Sequence, residues 1–318
     1  MKTAFTYLCS ALLLLAGCHT DDDAPQIDRG QRVPVRFSSL GLEITPMTRA
    51  TETALEGGDA ISISVVNKSE TGTDSLVASG NYADNYRYTY NGTSHEFETE
   101  SEGIWQYKTL PFDLVYYAVY PYTAQFAPVS TFMVETDQSL DGAYTASDLC
   151  IQKLDTKALN VTLEMAHMMS NVEIHVTGDD LDLLPDVSVF LADVMTEAVI
   201  DLNSDVDPQH RQMVTATGDY QNTQVKCLET ESGATERVFS ALIPPQEIAV
   251  ENKFVKLNIT TTDSQQHYFA VGFPRTRSLY SGKRTKIYCQ LEQDTNGQIT
   301  ITYAGPEDQP QHPDSRNN

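Results

Sequence analysis

Basic residues, cysteines and long apolar runs are all scarce in this chain of 318 residues. It has 21 lysines and arginines against 44 aspartates and glutamates, so its formal net charge is −23. Nucleic-acid affinity depends on lysine and arginine neutralising phosphates, and this charge therefore argues against a nucleic-acid partner. After residue 17 no stretch approaches the roughly eighteen apolar residues of a transmembrane helix, which excludes such a helix from the body of the chain.

Five cysteines are too few for disulfide bonds to hold together a folded chain of this size. Cys9 and Cys18 belong to the N-terminal segment. The other three, Cys150, Cys227 and Cys289, cannot all pair and show neither CxxC nor Cys/His metal spacing. We interpret them as buried small apolar side chains, so the hydrophobic core must hold the fold. No metal site and no cofactor are predicted.

The N-terminal segment has the features of a lipoprotein signal peptide. Lys2 supplies a positive charge, a short apolar run follows, and Leu15-Ala16-Gly17-Cys18 fits a lipobox. We expect the lipoprotein-processing machinery to remove residues 1–17 and to attach lipid, palmitate included, to Cys18. The lipid would anchor the chain to the cell outer membrane, with residues 18–32 as an acidic tether to a surface-exposed body.

From residue 33 onward, apolar and polar residues alternate with the period of β-strands, and Val, Ile, Thr and Tyr dominate the alternating runs. No stretch keeps helical spacing of apolar residues for three turns. The pattern predicts an all-β protein with two tandem β-sandwich domains, residues 33–157 and 158–318. We place the division in the mixed-charge stretch 148–160, interpreted as a pause between strands.

Residues 33–44 have the alternation of a strand that completes a sheet. The apolar residues change phase after Ser38-Ser39, which indicates one long strand with a bulge or two short strands. They are Val33, Val35, Phe37, Leu40, Leu42 and Ile44. Arg49 follows in a Pro46-Met47-Thr48 context that favours an exposed loop.

Six short motifs follow one another between residue 48 and about residue 291. They are TRAT at 48–51, YYAVYPY at 116–122, DQS at 137–139 with SDL at 147–149, VTLEMAHMMS at 161–170, IPPQ at 243–246 and GK at 282–283. In this order, behind a lipobox, they resemble the fimbrillins, which are subunits of the type V pili of Gram-negative anaerobes.

This resemblance implies a pilus (fimbrium) subunit of two transthyretin-like sandwiches that assembles by donor-strand exchange. An arginine-specific or trypsin-like protease would cut between Arg49 and Ala50 and release the groove-filling strand of residues 33–44. A strand from the next subunit would then fill the groove. Other pilus subunits would be the partners, with host or bacterial surface ligands bound in cell adhesion. An uncut Arg49 with a permanent first strand stays open as the alternative.

The tail after Tyr303 is short, polar and interrupted by Pro306, Pro310 and Pro313. We interpret it as a poor strand, unlike the apolar C-terminal extension of a polymerising stalk subunit. The prediction is a subunit that accepts a strand without donating one, in a tip or accessory position.

Enzymatic signatures are missing from the sequence: it has no G-x-S-x-G, no Gly-rich phosphate loop and no HExxH. We therefore predict no catalytic residues and no enzyme. His167 and His175 flank a turn without a carboxylate or cysteine cluster beside them in sequence, and we interpret His167 as a packed or capping residue of that turn.

A second function class stays open, a non-polymerising surface lipoprotein that binds glycans. Exposed aromatic side chains would stack on sugars, and packing within the core is the competing interpretation. The candidates are Tyr82, Tyr86, Tyr88, Tyr90 and Trp105.

Overall fold

The computed structural model describes residues 30–39, 55–69, 72–110, 112–204, 213–250, 252–293 and 298–310. These ranges contain twenty-five strands, one short helix, α1 (Ala143–Ala146), and one 3-10 turn at Leu181–Leu183. The all-β prediction is confirmed. Within the described ranges no helix is long and apolar enough to span a membrane.

Twelve strands precede residue 168. They are β1 (Arg32–Pro34), β2 (Arg36–Ser39), β3 (Ala60–Ser69), β4 (Gly72–Thr73), β5 (Ala83–Asn91), β6 (Glu96–Glu98), β7 (Trp105–Tyr107), β8 (Leu114–Tyr120), β9 (Val129–Met133), β10 (Cys150–Thr156), β11 (Asn160–Leu163) and β12 (Ala166–His167).

Thirteen strands follow in the described part of the chain. They are β13 (Ser170–Thr177), β14 (Asp186–Ala192), β15 (Glu197–Asp201), β16 (Val214–Thr217), β17 (Gln224–Lys226), β18 (Leu228–Ser232), β19 (Glu236–Ile243), β20 (Glu247–Ile248), β21 (Val255–Thr260), β22 (Gln266–Val271), β23 (Arg277–Ser278), β24 (Lys283–Gln293) and β25 (Ile299–Pro310).

The first large sheet bends around a core of its own. Its strand order is β11-β2-β6-β5-β3-β8-β10-β12, with β4 added to β3. The two end strands, β11 and β12, are neighbours in the chain, so the two ends of the sheet are tied together by a short connection. Aromatic and branched side chains fill the enclosed face, among them Phe37, Tyr88, Tyr90, Phe97, Tyr116 and Tyr120.

The second half of the chain forms two sheets packed over a shared core. A five-stranded sheet has the order β18-β19-β13-β24-β25, and a four-stranded sheet has the order β17-β14-β21-β22. Both sheets contribute alternating buried residues to one cluster, as expected of a sandwich. Members of the cluster include Val172, Ile174, Val189, Leu257, Phe239 and Ile287.

A third sheet joins the two halves. β9, from the first half, pairs with β15, which also pairs with β16. A further buried cluster contains residues from both halves, such as Val115, Tyr117, Met168, Met169, Ile200 and Leu242. The halves therefore share a sheet and a core.

The prediction of a break between strands at residues 148–160 is wrong, because β10 occupies most of that stretch. β10 pairs along its whole length with β8. Its charged side chains have partners on neighbouring strands: Asp155 pairs with Lys68, and the Lys153 ammonium lies 5.4 Å from the centre of the Tyr117 ring in a cation–π contact. The two-domain division at residue 157 stays a prediction, and β11, just beyond it, lies in the first sheet beside β2.

The tail after Tyr303 was predicted to be a poor strand, and this is wrong for residues up to Pro310. β25 continues to Pro310 along β24, with a register shift between Ile287 and Cys289. An edge strand tolerates proline, because the missing N–H faces away from the ladder.

Candidate assembly groove

β1 and β2 together form the described part of the first strand predicted from the sequence. β2 lies inside the main sheet, with a partner strand along each edge. β2 runs antiparallel to β6 and parallel to β11. The Arg36 N–H donates to the Leu159 carbonyl at 2.8 Å, and the Ser39 N–H donates to the His95 carbonyl at 3.1 Å. Withdrawing such a strand leaves two rows of unpaired backbone groups, which together form a groove for another strand.

Alternate side chains of this strand enter the first core. Val35 and Phe37 are buried, with 4% and 1% of their surface exposed, while Arg36 between them is exposed. The Phe37 ring meets the rings of Tyr88 and Tyr116 edge-on, with centroids 5.0 and 5.8 Å away. Burying one apolar side chain of this kind contributes about 1.5–3 kcal/mol.

A fully buried glutamine holds the chain at the entrance to β11. The Gln106 amide nitrogen donates to the carbonyls of Lys157 at 2.9 Å and Ala158 at 3.2 Å. Its amide oxygen accepts from the Tyr116 hydroxyl at 2.9 Å. None of these atoms belongs to residues 30–39, so this wall of the groove is held by groups outside the first strand.

The tyrosines beneath Phe37 are neutral hydrogen-bonding groups. The Tyr88 hydroxyl accepts from the Ile104 N–H at 2.9 Å, and burial raises the pKa of Tyr88 to about 12. Burial raises the pKa of Tyr116 as well. The floor of the groove therefore carries no charge near neutral pH and suits an apolar side chain.

The leading part of the strand, β1, covers β7. The Arg32 guanidinium donates to the Trp105 carbonyl at 3.1 Å, and Pro34 lies opposite Trp105 in the register. Val33 is half-buried and lies opposite Gln106. The first strand therefore reaches from β7 into the main sheet.

A cleft of about 390 Å³ opens beside β1. Tyr82, Tyr86 and Trp105 line it together with Arg32 and Glu102, and Trp105 is 37% exposed. The other two predicted sugar-stacking residues, Tyr88 and Tyr90, are buried in the core instead.

Several predicted site residues lie outside the described residues. The description stops at Ser39 and resumes at Leu55. Lipidation at Cys18, processing between Arg49 and Ala50 and groove filling by Leu40, Leu42 and Ile44 stay predictions, as does the groove-filling role of Val33, Val35 and Phe37.

In the structure, His167 has a carboxylate and a thiol as neighbours, although neither lies near it in the sequence. Its Nδ1 atom lies 2.9 Å from Asp148 Oδ1 and 3.4 Å from Cys150 Sγ. The partners are 19 and 17 residues away in sequence, and they meet because Cys150 and His167 are direct partners in the pairing of β10 with β12. Only that register, which no short motif encodes, would have revealed the cluster.

This cluster does not have the geometry of a nucleophilic triad. In such a triad the nucleophile and the orienting carboxylate contact opposite ring nitrogens of the histidine, whereas Cys150 and Asp148 both contact Nδ1. Burial also raises the pKa of the Cys150 thiol to about 11, which keeps it protonated near neutral pH. Burial disfavours a charge on His167 too, but Cys150 and Asp148 raise its pKa well above the ordinary value.

The remaining two cysteines match the sequence interpretation. Cys227 and Cys289 are buried in the core of the second half, and neither forms a disulfide. Burial raises the pKa of both thiols. They act as small apolar side chains.

An all-β fold with an enclosed first strand, and with a Cys–His–Asp group that lacks the geometry of a nucleophilic triad, is typical of a structural or binding protein. Two solved structures of low sequence identity have similar folds, and both are described as a "putative cell adhesion protein". The one from Bacteroides uniformis is 18% identical with a TM-score of 0.59, covering 88% of this chain and 98% of its own. The one from Bacteroides ovatus is also 18% identical with a TM-score of 0.61, covering 87% and 98%.

The model of the family described as fimbrillin-like matches residues 48–304. The chain therefore belongs to the fimbrillin-like family, as the motif order predicts. No curated protein matches the chain.

Proposed function

We propose that this chain is a structural and adhesive subunit of a cell-surface pilus, built by exchange of its first strand. The observation that carries the proposal is the position of β2, which lies between β6 and β11 with Phe37 buried against two tyrosines. The Gln106 hydrogen bonds outside that strand support a groove that persists when the strand leaves.

In this proposal a protease cuts between Arg49 and Ala50, and residues 33–44 are later replaced by a strand of another subunit. The incoming strand would restore the backbone ladder and supply apolar side chains at the Val35 and Phe37 positions. The family match begins at residue 48, after β1 and β2, which supports a family body without the first strand.

Lipid on Cys18 would hold the uncut chain at the outer membrane, and the assembled subunit would lie in the fimbrium at the cell surface. A tip or accessory position is also part of the proposal. The argument for it from a poor C-terminal strand no longer holds, because β25 extends to Pro310.

The test is strand exchange in the purified chain. Treatment with an arginine-specific protease should cut after Arg49 without releasing the first strand, because backbone pairs and buried side chains still hold it. A labelled peptide copying residues 31–45 should then exchange into the cut protein. Trp105, the single tryptophan of the chain, faces β1 and should report the displacement by its fluorescence.

Two controls make this test specific. Arg49→Ala should stay uncut and take up no peptide, whereas Arg36→Ala, which alters an exposed arginine within β2, should behave as the parent does. A peptide with serine in place of Phe37 should exchange poorly. Uptake by uncut protein, or a cut chain that loses its first strand freely and stays a stable monomer, would exclude the proposal.

A second candidate function rests on the cleft beside β1. Exposed aromatic faces next to an arginine and a glutamate are a common way to bind sugars, and Trp105, Tyr82, Arg32 and Glu102 provide that combination. If the chain is a glycan-binding module, soluble glycans should quench Trp105 fluorescence, and Tyr86→Ala should weaken the effect. Since Arg32 lies in β1, this binding should disappear when β1 is displaced by a peptide that lacks Arg32, which separates the two functions.

A further inference from the structure

Three different metal-ligating side chains converge next to the seam of the first sheet. Asp148, Cys150 and His167 place a carboxylate oxygen, a thiol sulfur and a ring nitrogen within 4.8 Å of one another. Residues two apart in an extended chain point to the same face, and directly paired residues of antiparallel strands lie close together. Asp148 stands two residues before Cys150, just ahead of β10, and Cys150 and His167 are directly paired.

Backbone hydrogen bonds hold the segments that carry these side chains. The Asp148 N–H donates to Thr145 O at the end of α1 at 3.1 Å, and the Met168 N–H donates to Leu149 O at 2.8 Å. The backbone segments that carry the three ligands are therefore held on both sides of the cluster.

The spacing of the donor atoms is close to that of tetrahedral zinc. Bond lengths of about 2.0–2.1 Å to nitrogen or oxygen and 2.3 Å to sulfur place tetrahedral donors roughly 3.3–3.6 Å apart. Here the nitrogen lies 3.4 Å from the sulfur and 2.9 Å from the carboxylate oxygen. For these two pairs, a movement of a few tenths of an ångström would reach the zinc spacing; the sulfur and the carboxylate oxygen lie within 4.8 Å of each other.

The chemistry of the donors selects the kind of metal. Calcium and magnesium take oxygen ligands, whereas zinc accepts sulfur, nitrogen and oxygen in one site. A thiolate, a carboxylate and a neutral imidazole together neutralise the two charges of Zn²⁺. On binding, the thiol proton, and any proton on the imidazole Nδ1, leave to solvent.

The three residues line a cavity of about 60 Å³, which also has Asp59 in its wall and offers space for a fourth ligand such as water. Most of its other walls are apolar or aromatic, so the site is shielded from bulk solvent. They include Leu55, Tyr90, Phe97, Tyr120, Leu163 and Met165.

We propose that Asp148, Cys150 and His167 bind one Zn²⁺ ion. The ion would bridge β10 and β12, next to the connection that ties the two ends of the first sheet together. None of the three ligands belongs to the first strand, although Ser39, at the end of β2, lines the same cavity.

The test is titration of the purified full-length chain with Co²⁺ and then with Zn²⁺. Cobalt should bind with one-to-one stoichiometry, giving the visible bands of a tetrahedral ion and a thiolate charge-transfer band in the near ultraviolet. Zinc should remove both signals. This spectrum tests the site in the parent chain without any substitution.

Variants then assign the ligands. Cys150→Ser should abolish the charge-transfer band, and both Cys150→Ser and His167→Gln should weaken zinc binding by more than about 100-fold, beyond the roughly 10–100-fold that loss of an outer hydrogen-bonding partner of a ligand usually costs. Cys289→Ser, a buried cysteine remote from the cluster, should bind as the parent does. Absence of cobalt binding, a spectrum without thiolate character, or unchanged affinity in folded Cys150→Ser would overturn the proposal.

Discussion

Phe37 is the most deeply buried described residue of the first strand. It is 1% exposed and contacts two buried tyrosine rings, whereas its neighbour Arg36 faces solvent. The alternation of the two faces makes the pair a matched comparison within one strand.

Phe37→Ala should lower the free energy of unfolding by about 3–5 kcal/mol, because it removes a buried ring and leaves a cavity between Tyr88 and Tyr116. Arg36→Ala should change it by less than about 0.5 kcal/mol, as exposed substitutions usually do. Urea unfolding measures both values. Equal effects of the two substitutions would mean that the Phe37 pocket is not a main source of the strand's affinity.

His175 predicts a dependence of stability on alkaline pH. Its ring nitrogens lie 2.6 Å from Glu173 and 2.7 Å from Glu236, and it stacks on Tyr288. Burial opposes its charge, but the two carboxylates raise its pKa. Because the folded pKa is above the unfolded value, this stabilisation is complete below about pH 6.5 and is lost as pH rises through the folded pKa.

Glu173 predicts that stability also falls at acid pH. Burial would raise its pKa, but His175, Arg284 and Lys286 lower it to about 2. The Lys286 ammonium lies 3.0 Å from the Glu173 carboxylate. Its stabilisation is therefore complete above about pH 4.3 and is lost as pH falls towards 2.

Unfolding free energy measured against pH should accordingly be largest between about pH 4.5 and 6.5. His175→Gln should flatten the alkaline decline. His267→Gln leaves this cluster intact and should keep it. An alkaline decline that is unchanged in His175→Gln would show that other groups cause it.

At the level of single elements, β11 and the residues just before it, 157–159, form one wall of the groove. Gln106→Ala removes the hydrogen bonds to Lys157 and Ala158 and leaves the Tyr116 hydroxyl without its acceptor. Each buried polar group left unsatisfied costs about 1–3 kcal/mol. Hydrogen exchange should therefore quicken at the amides of residues 157–163, and Gln224→Ala, an exposed glutamine in β17, should leave it unchanged.

Strands with clean alternation are predictable from the sequence alone. β3, β8, β13 and β19 are long and rich in Val, Ile or Tyr, the residue types that dominate the alternating runs of the sequence. Charged or short strands are not predictable in this way. β10 contains Lys153 and Asp155, whose compensating partners, Tyr117 and Lys68, come from other strands.

The candidate site is less predictable than the strands. Alternation at Val35 and Phe37 indicates a strand with one buried face, but it does not reveal that β11 pairs with it in parallel. The Gln106 wall and the His167 cluster depend on contacts between residues far apart in the chain. Local motifs contain no information on such contacts.

For the whole molecule, the structure joins the two halves through the sheet β16-β15-β9 and a shared buried cluster. Met168 and Leu242 from the second half pack in the same cluster as Val115 and Tyr117 from the first. Separating the halves would expose this apolar surface to water.

Calorimetry of the full chain should therefore show one cooperative unfolding transition. A fragment ending at residue 157 lacks β11 and β12 and should not fold alone. Two resolved transitions, or a stably folded fragment, would show instead that the division predicted near residue 157 separates independent domains.

The central claim is that the first strand is removed when the subunit assembles. Mass spectrometry of the intact subunit in polymers extracted from the cell surface tests it most directly. The account predicts a subunit that begins at Ala50 and lacks residues 33–44, with uncut, Cys18-lipidated chain confined to the unassembled pool. Polymers whose subunits keep lipidated Cys18 joined to the first strand would contradict it.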